Sequence, residues 1–229
     1  MKQDGRELPT IKVVTIEREY GSGGAEIAKR IAHRLGWKLW DQHLTNEIAL
    51  RMKCDCRVVE EHEEKRDTLF YRLARAFMRG SFEGSLNAPR LNMADTECIR
   101  EVAERVVKSA AEAGECVIVG RGSAYYLQNR RDAFHVFVFA PFDEKVRRLH
   151  AGGKSKTEAV ELIETVDRDR ADFIKRYFGV EWPDRQRFDL MINSTVGEDL
   201  AVETVLESIK LLEKQATKPA SSAQQSTVH

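Results

Sequence analysis

Residues Glu17 to Ala28, EREYGSGGAEIA, follow the apolar run Ile11–Ile16 and gather Gly21, Gly23 and Gly24 around one hydroxyl, Ser22. Glycines at such a turn let the backbone take positive φ and come close to an anion, and the N–H groups that open the next helix add to the attraction. The chemistry on offer is capture of a phosphate. The usual pattern for it, G-x-x-x-x-G-K-[ST], is not met. With Gly23 as its sixth position, Arg18 stands first, Gly24 replaces the lysine and Ala25 the hydroxyl. A dinucleotide pattern, G-x-G-x-x-G, fails too, because counting from Gly21 puts Glu26 at the third glycine. In its favour, Asp41 lies where a ribose-binding acid belongs. A turn that only packs helix against strand is the third reading.

Phosphoryl transfer is mostly positioning plus cancellation of charge on the transferred group, so cations should accompany the loop. Arg18 is the candidate to restore the lost lysine charge, since a guanidinium suits phosphate oxygens bidentately. Its alternative is a surface salt bridge with Glu17 or Glu19. Arg121, between Gly120 and Gly122, is a rim arginine open to an anion. In Asp167-Arg168-Asp169-Arg170-Ala171-Asp172, helical spacing pairs Arg168 with Asp172 and Asp167 with Arg170. Arg170 nevertheless falls on the apolar face of Ala159, Leu162, Ile163, Val166, Phe173 and Tyr177, where a guanidinium needs an anionic partner. Asp41 is a metal or ribose candidate, or else an N-cap. Glu26 reads as an acid favoured by the helix dipole, and Arg147-Arg148 as a solvated face.

The elements that must position these residues alternate. Strands are expected over 11–17, 38–41, 116–119, 134–140 and 189–192, and the third, Cys116-Val117-Ile118-Val119, lacks polar alternation, as in a strand covered on both faces. Helical periodicity marks Ile27–Leu35, stopped by Gly36, then Ile99–Ala110, closed by Gly114, and Leu200–Leu212. Ser155-Lys156-Thr157-Glu158 has the form of a capping box opening a helix to about Phe178. Residues 43–53 and 66–79 also read as helices, and Phe70 to Met78 has the apolar surface of either a core helix or a dimer face. Alternating strands and helices predict a three-layer α/β fold on a five-stranded parallel sheet. Ligands then bind beyond the carboxyl ends of the strands, which lines up Arg18–Gly24, Asp41, Gly120–Ser123 and Ala140–Phe142 along one rim.

Composition removes other classes. Lys plus Arg and Asp plus Glu number 37 each among 229 residues, so no net charge calls for nucleic acid. No apolar stretch approaches the roughly 20 residues of a membrane span, and the first residues have no signal-peptide core. Cys54, Cys56, Cys98 and Cys116 lack zinc-ligand spacing and read as free thiols in a reducing cytoplasm. The scattered histidines sit in no nucleophile-elbow context. Residues 1–10 form a loose leader, 11–214 one domain, and 215–229 a small, polar, disordered tail.

The string Arg18 to Leu44, REYGSGGAEIAKRIAHRLGWKLWDQHL, resembles the cytidylate kinase-like family, a divergent branch of the P-loop nucleoside monophosphate kinases. The resemblance continues at Gly120-Arg121-Gly122, Asp167–Asp172 and Asp189–Ser194. It implies a P-loop kinase-like fold with a helical lid at about 150–180 and an acceptor-binding insertion at about 43–93. It also implies transfer from ATP, with Mg²⁺, to a nucleoside monophosphate, CMP or dCMP first. Gly21, Ser22, Gly23 and Gly24 would cradle the donor phosphates and Arg121 the acceptor phosphate. Arg168 and Arg170 would close the lid and exclude water. Gly122 stands where the related G-R-D segment has an acid. A silent nucleotide-binding sensor and a kinase of another small metabolite are the alternatives. No ligand for the metal and no oligomeric state can be read.

Overall fold

The computed structural model describes residues 10–41 and 96–216. The expected helices at 43–53 and 66–79, the acceptor insertion, the Phe70–Met78 surface, Cys54, Cys56 and most of the leader and tail lie outside them.

In chain order the elements are β1 (Val13–Arg18), α1 (Gly24–Leu35), β2 (Lys38–Trp40), α2 (Thr96–Ala113), β3 (Cys116–Val119), the short α3 (Ser123–Tyr126), β4 (Ala133–Phe139), α4 (Phe142–Ala151), α5 (Lys156–Phe178), β5 (Leu190–Asn193) and α6 (Glu198–Ala216). Single 3₁₀ turns flank β5 at Arg185–Arg187 and Ser194–Val196. All five strands are parallel, in the order β2-β3-β1-β4-β5. The expected strands are all present, with ends moved by up to two residues.

β1 is buried along its whole length, so its alternation separates two apolar faces rather than core from solvent. Val14 and Ile16 face a core completed by Ile27, Ala28 and Ile31 of α1 and Ala201, Val202 and Val205 of α6. Val13 faces the opposite core, with Val102, Val106 and Val107 of α2 and Phe173 and Ile174 of α5. A smaller cluster of Tyr20, Leu149, Ala159, Ile163 and Val166 joins α4, α5 and the glycine loop.

Helix ends follow the sequence signals. Gly36, at φ 69°, turns the chain out of α1 and donates to Ala32 O and His33 O. Ser155 Oγ accepts the Glu158 N–H at 3.1 Å and starts α5. Among the described residues, no helix is long and apolar enough to cross a membrane.

Candidate phosphate site at the strand ends

The glycine loop runs directly from β1 into α1. Gly21 and Gly23 take φ of 75° and 78°, and Gly23 caps the helix. α1 begins its own hydrogen bonding with Ile27 N to Gly23 O at 3.1 Å, so the amides of Gly24, Ala25 and Glu26 open the helix outside its ladder. Two other loop amides are committed inside the protein. Tyr20 N–H donates to Asp167 Oδ1 at 2.8 Å, and Ser22 N–H reaches Glu19 O at 3.4 Å. The Ser22 hydroxyl also donates to Glu19 O, at 2.8 Å, and Ser22 is fully buried. The loop thus turns its hydroxyl inward, and Ala25 has none to offer. Among the described residues no group of three or more acidic, histidine or cysteine side chains is placed to hold a metal ion either. The loop therefore does not fit the Mg²⁺ implied by the resemblance in the way a P-loop hydroxyl would.

Arg18 is 5% exposed, which excludes the surface salt bridge as its role. Its side chain passes between two glycines. A Cβ on Gly24 would lie 2.7 Å from Arg18 Cβ and 3.0 Å from Cγ, and a Cβ on Gly120 would overlap Arg18 Nη1. Any side chain at position 24, a lysine included, would displace Arg18. The missing lysine and the buried arginine are two sides of one packing solution.

Arg121 is also 5% exposed and holds φ 64°, between Gly120 at 67° and Gly122 at 70°. A left-handed conformation costs a side-chain-bearing residue roughly 1–2 kcal/mol. Gly122 is needed because Phe178 Cε2 would stand 3.1 Å from a Cβ there. Burial pushes the Arg121 guanidinium down to about 9; the charges of Arg18 and Arg170 add to that, and Asp41 and Glu17 oppose it. Asp41 thus belongs with Arg121 at the ends of β2 and β3. The helix it would have capped lies outside the described residues.

Glu17, on the face of β1 opposite Arg18, is the acid that sequence reading treated only as a salt-bridge partner. It is 5% exposed, and its Oε1 has no hydrogen-bond partner. Burial raises its carboxyl above the ordinary range, while Arg18, Arg170 and Arg121, in that order, pull it back. The charges of three of the four predicted arginines therefore act on one buried carboxylate. The fourth, Arg168, lies on the exposed side of α5.

Arg170 turns inward as its place on the apolar face required. Nη1 donates to Arg18 O at 2.7 Å and to Asp167 Oδ1 at 3.0 Å. The expected Asp167–Arg170 pair therefore forms, but half-buried rather than on a solvated surface. Glu26 pairs with Arg30 at 3.2 Å in the first turns of α1, as an acid favoured there would.

Arg147 and Arg148 divide. Arg147 is solvated and paired with Glu144. Arg148, expected on the same solvated face, instead donates from Nη1 to Ser22 O at 2.7 Å and to Ser194 Oγ at 2.8 Å, and from Nη2 to Ser194 O at 3.1 Å. It braces the back of the loop against the end of β5. Lys145 was missed altogether. It is buried, with Nζ 3.0 Å from Glu19 Oε2 and 3.2 Å from Asp167 Oδ2. The available signal was its place one turn before Leu149, on the apolar stripe of α4.

Comparison with known proteins gives this geometry relatives. Residues 13–196 match the model of the Cytidylate kinase-like family. A cytidylate kinase of Methanosarcina mazei is 28% identical over 80 residues, 34% of this chain; the chain spans only 44% of that relative's length. An uncharacterised protein from Eubacterium ventriosum superposes with a TM-score of 0.61 at 20% identity, covering 87% of this chain and 98% of that one. A shikimate kinase from Bacteroides thetaiotaomicron has the same coverage, a TM-score of 0.50 and 16% identity. The two structures share the P-loop kinase-like fold.

Proposed function

The chain belongs to the cytidylate kinase-like family, and on that premise we propose that it transfers a phosphoryl group from ATP to a nucleoside monophosphate, with CMP or dCMP the first acceptor to try. The observation that carries this reading is the seat of Arg18. A guanidinium buried between Gly24 and Gly120, at the mouth of a glycine loop, supplies positive charge where the loop's own lysine position is empty.

In this reading the turn Gly21–Gly24 and the opening amides of α1 receive the donor polyphosphate, and Arg18 offsets its charge. Arg121 receives the acceptor phosphate, with Asp41 beside it for the acceptor sugar. Arg170 stands between the two. Arg168 reaches a nucleotide only from the outer side of α5, across the rim. Ser22 shapes the loop through Glu19 O rather than touching phosphate. Any Mg²⁺ would have to come with the nucleotide, because neither Ser22 nor Ala25 offers it a hydroxyl. An acceptor phosphate is already ionised at neutral pH, so no side chain needs to act as a strong base.

A second reading, a nucleotide sensor without transfer activity, draws on the absence of lysine and hydroxyl at Gly24 and Ala25. Coupled ADP release with a panel of nucleoside monophosphates separates the two. Turnover at least tenfold above the ATP-only rate on one pyrimidine monophosphate is expected. Micromolar ATP binding with no turnover on any acceptor would point to the sensor, and turnover only on another small metabolite would reassign the acceptor.

A further inference from the structure

Asp167, near the middle of the lid helix, accepts three donors from three parts of the chain. Oδ1 takes the Tyr20 N–H of the glycine loop at 2.8 Å and Arg170 Nη1 of its own helix at 3.0 Å. Oδ2 takes Lys145 Nζ of α4 at 3.2 Å. Lys145 Nζ also donates to Glu19 Oε2 at 3.0 Å, and that same oxygen accepts the Ala140 N–H at 3.3 Å. Lys145 Cβ stands 3.2 Å from the place of a Cβ on Gly21. The side chains of Lys145, Asp167 and Arg170 are 8%, 15% and 12% exposed, so these are charge-assisted bonds largely shielded from water.

We infer that Asp167 and Lys145 are positioning residues that fasten the lid helix to the glycine loop. The inference rests on the phosphoryl-transfer reading and assigns a task that neither the family match nor the sequence pattern gives these two residues. Asp167 commits the Tyr20 amide away from the phosphate side, and the amides of Gly24, Ala25 and Glu26 open α1 outside its ladder. Through the same oxygen it sets Arg170, whose Nη1 also holds Arg18 O. One carboxylate therefore ties together the glycine loop, the lid arginine and, through that arginine, the strand end that carries Arg18, with Lys145 as its counter-ion. The consequence is a lid anchored at mid-helix, so that water is excluded by geometry already in place. Losing the anchor lets the loop and Arg170 drift apart and lets water compete with the acceptor phosphate.

The test uses Asp167→Ala and Lys145→Met in the full-length chain and two readouts. The first is hydrogen–deuterium exchange in the nucleotide-free protein. The Tyr20 amide and its loop peptide should exchange about tenfold faster in both variants, while β1 and β4 keep their protection. The second is the partition of ATP between hydrolysis and transfer to the acceptor, which should shift severalfold towards hydrolysis. A merely structural loss would lower both rates together and leave the partition unchanged. Unaltered exchange at Tyr20 in both variants, or an unaltered partition, overturns the proposal. Should Asp167→Ala fail to fold, Asp167→Leu, which keeps the branched shape but neither acceptor oxygen, takes its place under the same criteria, and Lys145→Met is read in either case. Wild-type protein that binds no ATP by calorimetry would defeat the phosphoryl-transfer reading instead, because the exchange experiment needs no nucleotide.

Discussion

At the residue scale, Arg121 holds a conformation and a charge that both cost stability. Its φ of 64° belongs to glycine, and burial together with the charges of Arg18 and Arg170 weighs against its guanidinium, while Asp41 and Glu17 oppose that. Backbone strain held by a buried arginine at a ligand rim is a reason to expect function there. Arg121→Gly relieves the backbone strain, while Glu17 keeps Arg18 and Arg170, the larger of the charges that act on it. The variant should melt about 2–4 °C higher than the wild type, the equivalent of about 1 kcal/mol in a chain of this size. It should also raise the acceptor KM about tenfold or more, the worth of one charge-assisted phosphate contact, while ATP affinity measured by calorimetry stays the same. A melting point several degrees lower would make Arg121 a brace rather than a binding residue. Arg18 follows a different logic, because its position excludes any side chain at Gly24 and so explains why lysine is missing from the loop.

Among elements, the central strands carry a second polar feature, away from the rim. His135 of β4 is 6% exposed and shares a 2.7 Å hydrogen bond between Nδ1 and Thr15 Oγ1 of β1. Burial lowers the affinity of its ring for a proton, and the charge of Asp189, whose Oδ2 accepts the backbone N–H of His135 at 2.7 Å, works against the shift. With the folded pKa below the ordinary 6.5, the unfolded chain binds more protons in that interval. Stability is therefore complete above about pH 6.5 and declines as pH falls towards the lower folded value. Thermal melts from pH 7.5 to 5 should show a steeper fall for the wild type than for His135→Asn, and parallel curves would refute the assignment. The elements themselves were legible. Val13–Arg18 running into glycines, the periodicity of α1 and α2, and the Ser155 cap are local patterns, and local patterns are what a sequence displays. Arg170 was legible for the same reason, since its helix face had to be apolar. Arg148 and Lys145 were not, because their partners Ser22 and Glu19 lie 126 residues away and nothing near them in the chain announces the contact. Glu17 was misjudged because strand alternation usually sends an acid to solvent, and here both faces of the strand are covered.

At the scale of the whole molecule, the family match ends at residue 196, while α6, Glu198–Ala216, comes after it. That helix is part of the core rather than an appendage. Ala201, Val202, Val205, Leu206 and Ile209 are buried against Val14, Ile16, Ile27 and Ile31. Four of those α6 side chains are large enough to contribute about 1.5–3 kcal/mol each, roughly 6–12 kcal/mol in all before ordering entropy. This is comparable to the roughly 5–15 kcal/mol by which a whole domain is stable. The ion pairs that α6 makes with α1, Arg30 with Glu198 and Asp199 at 2.8 Å each and Arg34 with Glu203 at 2.6 Å, are exposed and screened by solvent, so they add little. A chain ended at Gly197 should therefore lose cooperative unfolding in urea, with the near-ultraviolet circular dichroism of packed aromatic residues gone. Arg34→Ala in the full chain should leave the midpoint almost unchanged. Cooperative unfolding of the shortened chain near the full-length midpoint would mean that the sheet closes its own second face. The site depends on the outcome, because Ser194 Oγ holds Ser22 O at 2.6 Å just before α6 begins, and the loop keeps its shape only while that end of the sheet stays covered.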